Sequence, residues 1–182
     1  MIDELNKEFK VNQIKLLEVC SGLLSNLACE VDNNLFDNLA IDPLADIHNS
    51  LMAKYHYDYP IKPIKVKCEN LLKLFRENSF HICYSRSAID HTEDPERCIF
   101  NMYSILKKNG ILFLTGFVRE ESHEKWVDLH QFDLIPENRD LFLGFNDGNK
   151  KNITNNLRLR NIIFDKTRYN PGDFYKIAFK KY

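Results

Sequence analysis

An open α/β sheet, parallel for most of its strands and finished by an antiparallel hairpin, is the fold this sequence predicts. Short β-rich apolar runs alternate with helix-spaced segments from residue 14 to residue 117, and such alternation builds parallel sheets through right-handed crossovers. Glu18-Val19-Cys20-Ser21-Gly22 ends an apolar run in a tight loop, and Ile41-Asp42-Pro43 ends a second run in a carboxylate. Two further β-rich runs near the C-terminus flank Asn170-Pro171-Gly172, a sequence suited to a hairpin turn.

Each element follows in order. Residues 14–20 are short, β-leaning and bounded by Ser21-Gly22, which predicts the first strand. Leu24, Leu27, Ala28 and Val31 recur at helical spacing, with Asp32-Asn33-Asn34 as the stop. Residues 36–41 make the second strand. Leu44, Ile47, Leu51 and Tyr55 predict the apolar face of the next helix, which Pro60 and Pro63 break before a third strand over residues 64–68. Residues 80–85 form the fourth strand. The helix after it starts at Asp94, with Pro95 at its first position and Glu96 near the positive end of its dipole. Ile99, Met102, Tyr103 and Leu106 form its buried stripe, and Lys107-Lys108 suit its last turn. Asn109-Gly110 then turn the chain into a fifth strand over residues 111–117. Residues 119–156 read as polar and irregular, with Trp126, Phe132, Leu141, Phe142 and Phe145 available to cover a pocket. Residues 157–165 and 174–181 are the strands of the terminal hairpin.

The composition narrows the function. A chain of 182 residues with 44% hydrophobic content suits one domain over residues 1–182, which at this size buries roughly 70% of its unfolded surface. A formal net charge of -1 supplies no electrostatic reason to propose nucleic acid or an anionic membrane as partner. The longest apolar run, residues 110–118, is far shorter than the roughly 20 residues a spanning helix needs. The charged N-terminus carries no apolar signal region, so a cytoplasmic location is expected. The five cysteines are scattered, none pairs with another at metal-ligand spacing, and the six histidines lack a paired spacing on one helix face. Free cysteines in apolar runs behave as small buried hydrophobes, so neither a disulfide framework nor a metal is expected.

In an open α/β sheet, ligands bind beyond the carboxyl ends of the strands where the strand order reverses. That rim here carries Cys20-Ser21-Gly22, Asp42-Pro43, Cys68-Glu69, Ser85 and the segment after Phe117. A carboxylate ending the second strand suits both hydroxyls of a ribose, and Gly22 lets backbone approach a ligand. Asp42 also reads as a cap for the helix that Pro43 opens.

The order of these motifs resembles the class I S-adenosylmethionine-dependent methyltransferases, of the small-molecule type, over residues 14–117 with the terminal hairpin. Leu17-Glu18-Val19-Cys20-Ser21-Gly22 is similar to the family's glycine-rich first motif, with Cys20 and Leu24 where glycine is common. Ile41-Asp42-Pro43 resembles the ribose-holding second motif, and Cys68-Glu69-Asn70-Leu71 the stretch beside adenine, with Lys67 where an aspartate is frequent. The run from Asn78 to Pro95, through Ser85, Asp90-His91 and Asp94-Pro95, resembles the fourth motif, with His81 in place of an aspartate. Tyr103-Ser104-Ile105-Leu106-Lys107-Lys108-Asn109-Gly110 resembles the helix end that follows.

The resemblance implies a Rossmann-like, seven-stranded, mostly parallel sheet with an antiparallel C-terminal hairpin and helices on both faces. It implies S-adenosyl-L-methionine as cofactor, held by Glu18, Cys20, Gly22, Asp42, Pro43, Cys68, Glu69 and Ser85. It further implies methyl transfer to a small-molecule or sugar-type acceptor, at oxygen. Residues 1–13 leave only a short N-terminal segment before the first strand, and 118–156 would shape the acceptor pocket. His130, within Leu129-His130-Gln131-Phe132, is the preferred base and His91 the second; each also reads as a loop histidine with a structural role. The thinned glycine loop equally suits a non-catalytic, methyltransferase-like binding or scaffold protein. A nicotinamide-dependent oxidoreductase fits poorly, because Gly-x-Gly-x-x-Gly is missing.

Overall fold

The computed structural model describes residues 13–27, 35–119, 125–128, 131–168 and 172–182. Its main sheet has seven strands: β1 (Ile14–Val19), β2 (Phe36–Asp42), β3 (Ile64–Lys65), β4 (Phe80–Arg86), β5 (Leu106–Phe117), β9 (Leu159–Arg168) and β10 (Asp173–Lys181). They lie in the order β3-β2-β1-β4-β5-β10-β9. The pairs among β1 to β5 are parallel, and β10 runs antiparallel to both β5 and β9. Three helices are described: α1 (Ala45–Lys54), α2 (Leu71–Leu74) and α3 (Pro95–Ile105). The β2–β3 and β4–β5 crossovers leave β1 in opposite directions. Right-handed connections therefore place α1 and α3 on opposite faces of the sheet.

The start of α3 follows its sequence. The Asp94 carboxylate accepts the Arg97 N–H at 3.0 Å and Pro95 fills the first turn. Cys98, Ile99, Met102 and Ile105 are fully buried against the sheet. The end differs from expectation. Leu106 already opens β5, so Lys107 to Gly110 lie in a strand rather than a last helical turn. The amine of Lys181, from β10, instead reaches the carbonyls of Leu106 at 2.7 Å and Tyr103 at 3.0 Å, placing a cation at the helix C-terminus.

Four other expectations are corrected. The stripe assigned to α1 faces outward: Leu44, Ile47, Leu51 and Tyr55 are exposed, and the helix buries Ala45 and Met52. Residues 22–27 form bends and turns rather than the start of a helix, and the rest of that predicted helix, 28–34, lies outside the described residues. The third strand holds only Ile64 and Lys65, with Cys68 opening a 3₁₀ turn instead. Within the segment read as irregular, β6 (Asp133–Glu137), β7 (Asp140–Gly144) and β8 (Lys150–Asn152) form a three-stranded antiparallel sheet. Leu134, Leu141 and Leu143 of this sheet, with Ile153 after it, share one apolar core with Leu17, Ile99, Met102 and Ile177. A Lys151–Glu96 ion pair at 2.6 Å joins β8 to α3.

Candidate cofactor site

The strand order reverses between β1 and β4, which pair with each other in the middle of the sheet. Above their carboxyl ends lies a cleft of about 570 Å3. This is within the usual size of a small-molecule site. Its lining includes Cys20, Ser21, Gly22, Asp42, Pro43, Leu44 and His48. Lys67, Cys68, Glu69, Arg86, Ser87, Ala88, His91, Thr92 and Glu93 complete it.

Asp42 is the fixed point of this cleft. The residue is 6% exposed, and its carboxylate accepts the Gly22 N–H at 2.9 Å through Oδ2 and the Leu44 N–H at 2.8 Å through Oδ1. The two readings of Asp42 thus coincide in part, because the group that caps the entry to α1 also grips the loop after β1. Each carboxylate oxygen has a further lone pair, leaving acceptor capacity on the cleft side. His48, one turn into α1, sets its Nδ1 3.6 Å from Asp42 Oδ1. Nothing in the motif pattern marked His48; an imidazole one helical turn after the start of α1 was the available signal.

The loop after β1 takes the backbone that glycine favours without having the glycines. Cys20 has φ +57° and Gly22 φ +69°. A non-glycine residue pays a steric penalty for this left-handed conformation. The space beside Gly22 is open, with no atom within 4 Å of where a Cβ would stand. Ser21 donates its N–H to the Ile41 carbonyl at 3.0 Å, tying the loop to β2.

Of the residues singled out from sequence, Cys20, Gly22, Asp42, Pro43, Cys68, Glu69 and His91 line the cleft. Glu18 and Ser85 do not. Glu18 is 1% exposed, and its carboxylate takes the Ser25 hydroxyl, the Asn26 N–H and the Asn26 side-chain amide, the last at 2.7 Å. It fastens the loop from inside. Ser85 donates its hydroxyl to the Val19 carbonyl at 2.8 Å, pinning β4 to β1 beneath the cleft. Glu69 accepts the Glu93 N–H at 2.9 Å and so braces the turn leading to α3. Beside it Lys67 binds Glu93, and that hydrogen bond and charge hold the amine above the usual lysine range. His91 places Nε2 4.0 Å from Asp90, whose side chain is buried. His130 lies outside the described residues.

His81, which stands where the family commonly has an aspartate, is remote from the cleft. Its Nδ1 accepts the Lys15 N–H at 2.9 Å and its Nε2 lies 3.1 Å from Lys107 Nζ. Burial, then the charges of Lys107 and Lys15, lower its pKa from the ordinary histidine value. A second hollow of about 460 Å3 lies past β5 between Trp126, Gln131 and the Phe145-Asn146-Asp147 turn. Among the described residues, no group of three or more metal-ligating side chains is placed to hold an ion, and no helix is long and apolar enough to cross a membrane.

Comparison with known proteins settles the family. The family model described as a methyltransferase domain matches residues 19–114, more than half of the chain. The chain belongs to this methyltransferase domain family. Its members of the small-molecule type are S-adenosylmethionine-dependent class I methyltransferases. No curated protein sequence matches it. Among solved structures it is similar to a 1,6-didemethyltoxoflavin-N1-methyltransferase from Burkholderia thailandensis, solved with bound 1,6-didemethyltoxoflavin and S-adenosylhomocysteine. That match has 8% identity and a TM-score of 0.59 over 99% of this chain and 76% of the other. An S-adenosylmethionine-dependent methyltransferase from Methanosarcina mazei matches at 12% identity and TM-score 0.61, over 96% and 95% of the two chains. The [4+2]-cyclase SpnF matches at 12% identity and TM-score 0.60, over 99% and 79%. At these identities the likeness concerns the fold, and the cyclase is a reminder that this fold hosts more than one chemistry.

Proposed function

We infer that the chain binds S-adenosylmethionine in the Asp42 cleft and transfers its methyl group to an oxygen of a small-molecule or sugar-type acceptor. The observation that carries this reading is the buried Asp42 carboxylate at the end of β2, beside the β1–β4 reversal, held by the Gly22 and Leu44 N–H groups. The residues present fit the cofactor. Asp42 keeps lone pairs for ribose hydroxyls, Gly22 leaves the loop open, and Cys68 and Glu69 also line the cleft. Cys20, Pro43 and His91 complete the proposed bed, while Glu18 and Ser85 support it from beneath.

The cofactor's sulfonium supplies an already electrophilic methyl group, so the protein's task is alignment and exclusion of water. Asp42 fixes the sugar end, and the turn braced by Glu69 shapes the far wall. A hydroxyl acceptor also needs a base to take its proton as the new bond forms. His130 is our first choice, since it follows β5 in the sequence, and His91, which lines the cleft, is the second. The segment 118–156 is assigned the acceptor side, where Trp126 and Phe145 border the second hollow. The same reading takes residues 1–182 as one domain working in the cytoplasm, without nucleic acid or membrane as partner.

A non-catalytic binding or scaffold role is the second reading. The left-handed Cys20 and the exposed Leu24, both where the family commonly has glycine, favour it. The two separate in one assay: S-adenosylhomocysteine appearing with any acceptor excludes the scaffold reading. Tight cofactor binding without turnover across an acceptor panel of phenols, sugars and amines excludes the catalytic one.

A further inference from the structure

We propose that His48 binds the nucleoside beside Asp42, its Nε2 accepting one ribose hydroxyl while Asp42 accepts the other. The proposal rests on the cofactor reading above and adds a residue to it. His48 stands in the first turn of α1, where its N–H donates to the Leu44 carbonyl at 3.0 Å. Helical side chains lean towards the N-terminus of their helix, which carries this imidazole back towards Asp42. The side chain is 15% exposed and lines the cleft, and its Nδ1 lies 3.6 Å from Asp42 Oδ1.

The two ring nitrogens are in different positions. Nδ1 is sealed from solvent and makes no hydrogen bond, since 3.6 Å is too long for one. A lone pair on Nδ1 would face the carboxylate oxygen and be repelled, whereas an N–H there is attracted. The proton of the neutral imidazole therefore sits on Nδ1, and Nε2 carries the lone pair. Nε2 is not sealed in this way and has no hydrogen-bond partner among the described residues, so it is the nitrogen that the cleft reaches. The acceptors on Asp42, meanwhile, are nearly used up. Oδ1 takes the Leu44 N–H and has His48 beside its second lone pair. Oδ2 takes the Gly22 N–H and keeps one lone pair. A ribose presents two neighbouring hydroxyl donors, and Oδ2 and His48 Nε2 supply one acceptor for each.

The test is calorimetric titration of the full chain with S-adenosylhomocysteine and with its 2′-deoxy and 3′-deoxy analogues. His48→Leu should bind S-adenosylhomocysteine roughly 2- to 12-fold more weakly, the worth of one neutral hydrogen bond. It should show the same loss with one deoxy analogue and none with the other, which lacks the hydroxyl that His48 receives. His48→Gln, whose amide oxygen still accepts a hydrogen, should recover part of the affinity. Should His48→Leu fail to fold by circular dichroism, His48→Phe repeats the comparison with a ring that has no acceptor. A merely structural role predicts an equal loss with all three ligands. That result, or an unchanged affinity for S-adenosylhomocysteine, overturns the proposal while leaving the cofactor reading in place. No binding of any of the three by the unmodified chain sinks both together.

Discussion

At the scale of single residues, the site depends on where each carboxylate is aimed. Glu18 and Asp42 end adjacent strands, yet Glu18 turns into the loop and Asp42 faces the cleft. Hydrogen bonds to a charged group are worth about 1.5–3 kcal/mol each. Asp42→Ala should therefore weaken S-adenosylhomocysteine binding roughly 10- to 150-fold, read by calorimetric titration; unchanged affinity would remove Asp42 from the site. His81 makes a different prediction. Burial lowers its folded pKa below the unfolded value of about 6.5, so the folded state binds fewer protons there. Its contribution to stability is complete above that value and is lost as pH falls from about 6.5 towards the folded pKa. Thermal melts between pH 7.5 and 5.5 should show this loss, and His81→Asn, which can still accept the Lys15 N–H, should flatten the profile. The sequence identified the cleft's acids by motif position. It did not reveal their rotamers, because Ser25 and Asn26 compete for Glu18 only once the loop has closed.

At the scale of elements, legibility followed local chemistry. The start of α3 was readable because Asp94, Pro95 and Glu96 act on their own backbone. Asp94→Ala should cost about 1 kcal/mol by urea denaturation, the usual worth of such a cap. The end of α3 was not readable, because its terminating cation, Lys181, comes from the far end of the chain. For α1, the spacing of Leu44, Ile47, Leu51 and Tyr55 is helical and a helix formed, but with a different face inward. Periodicity establishes the helix and leaves its rotation to packing. The β6–β7 hairpin escaped notice for a sterically clear reason. Its two-residue loop, Asn138-Arg139, has positive φ at both positions, and an arginine stands where glycine is the usual signal.

At the scale of the molecule, the parallel strands with their antiparallel terminal pair were legible from alternation alone, because burial on both faces makes these strands continuous apolar runs. The three-stranded sheet that follows β5 was not, since its strands are only three to five residues long and Pro136 sits inside the first of them. Its apolar side chains nevertheless belong to the common core. Leu143→Ala should accordingly destabilise the whole chain by about 2–5 kcal/mol. It should do so in one transition, seen alike by circular dichroism and by the fluorescence of Trp126, the only tryptophan. Separate transitions would show instead that the small sheet unfolds on its own.

The central claim is that the cleft over the β1–β4 reversal, built on Asp42, Gly22 and Cys68, holds S-adenosylmethionine despite its thinned glycine loop. Calorimetric titration of the intact, folded chain with S-adenosylmethionine tests it most directly. Saturable one-to-one binding that is lost or strongly weakened in Asp42→Ala is the predicted result. No heat of binding at millimolar ligand, with the protein shown folded by circular dichroism, would contradict it.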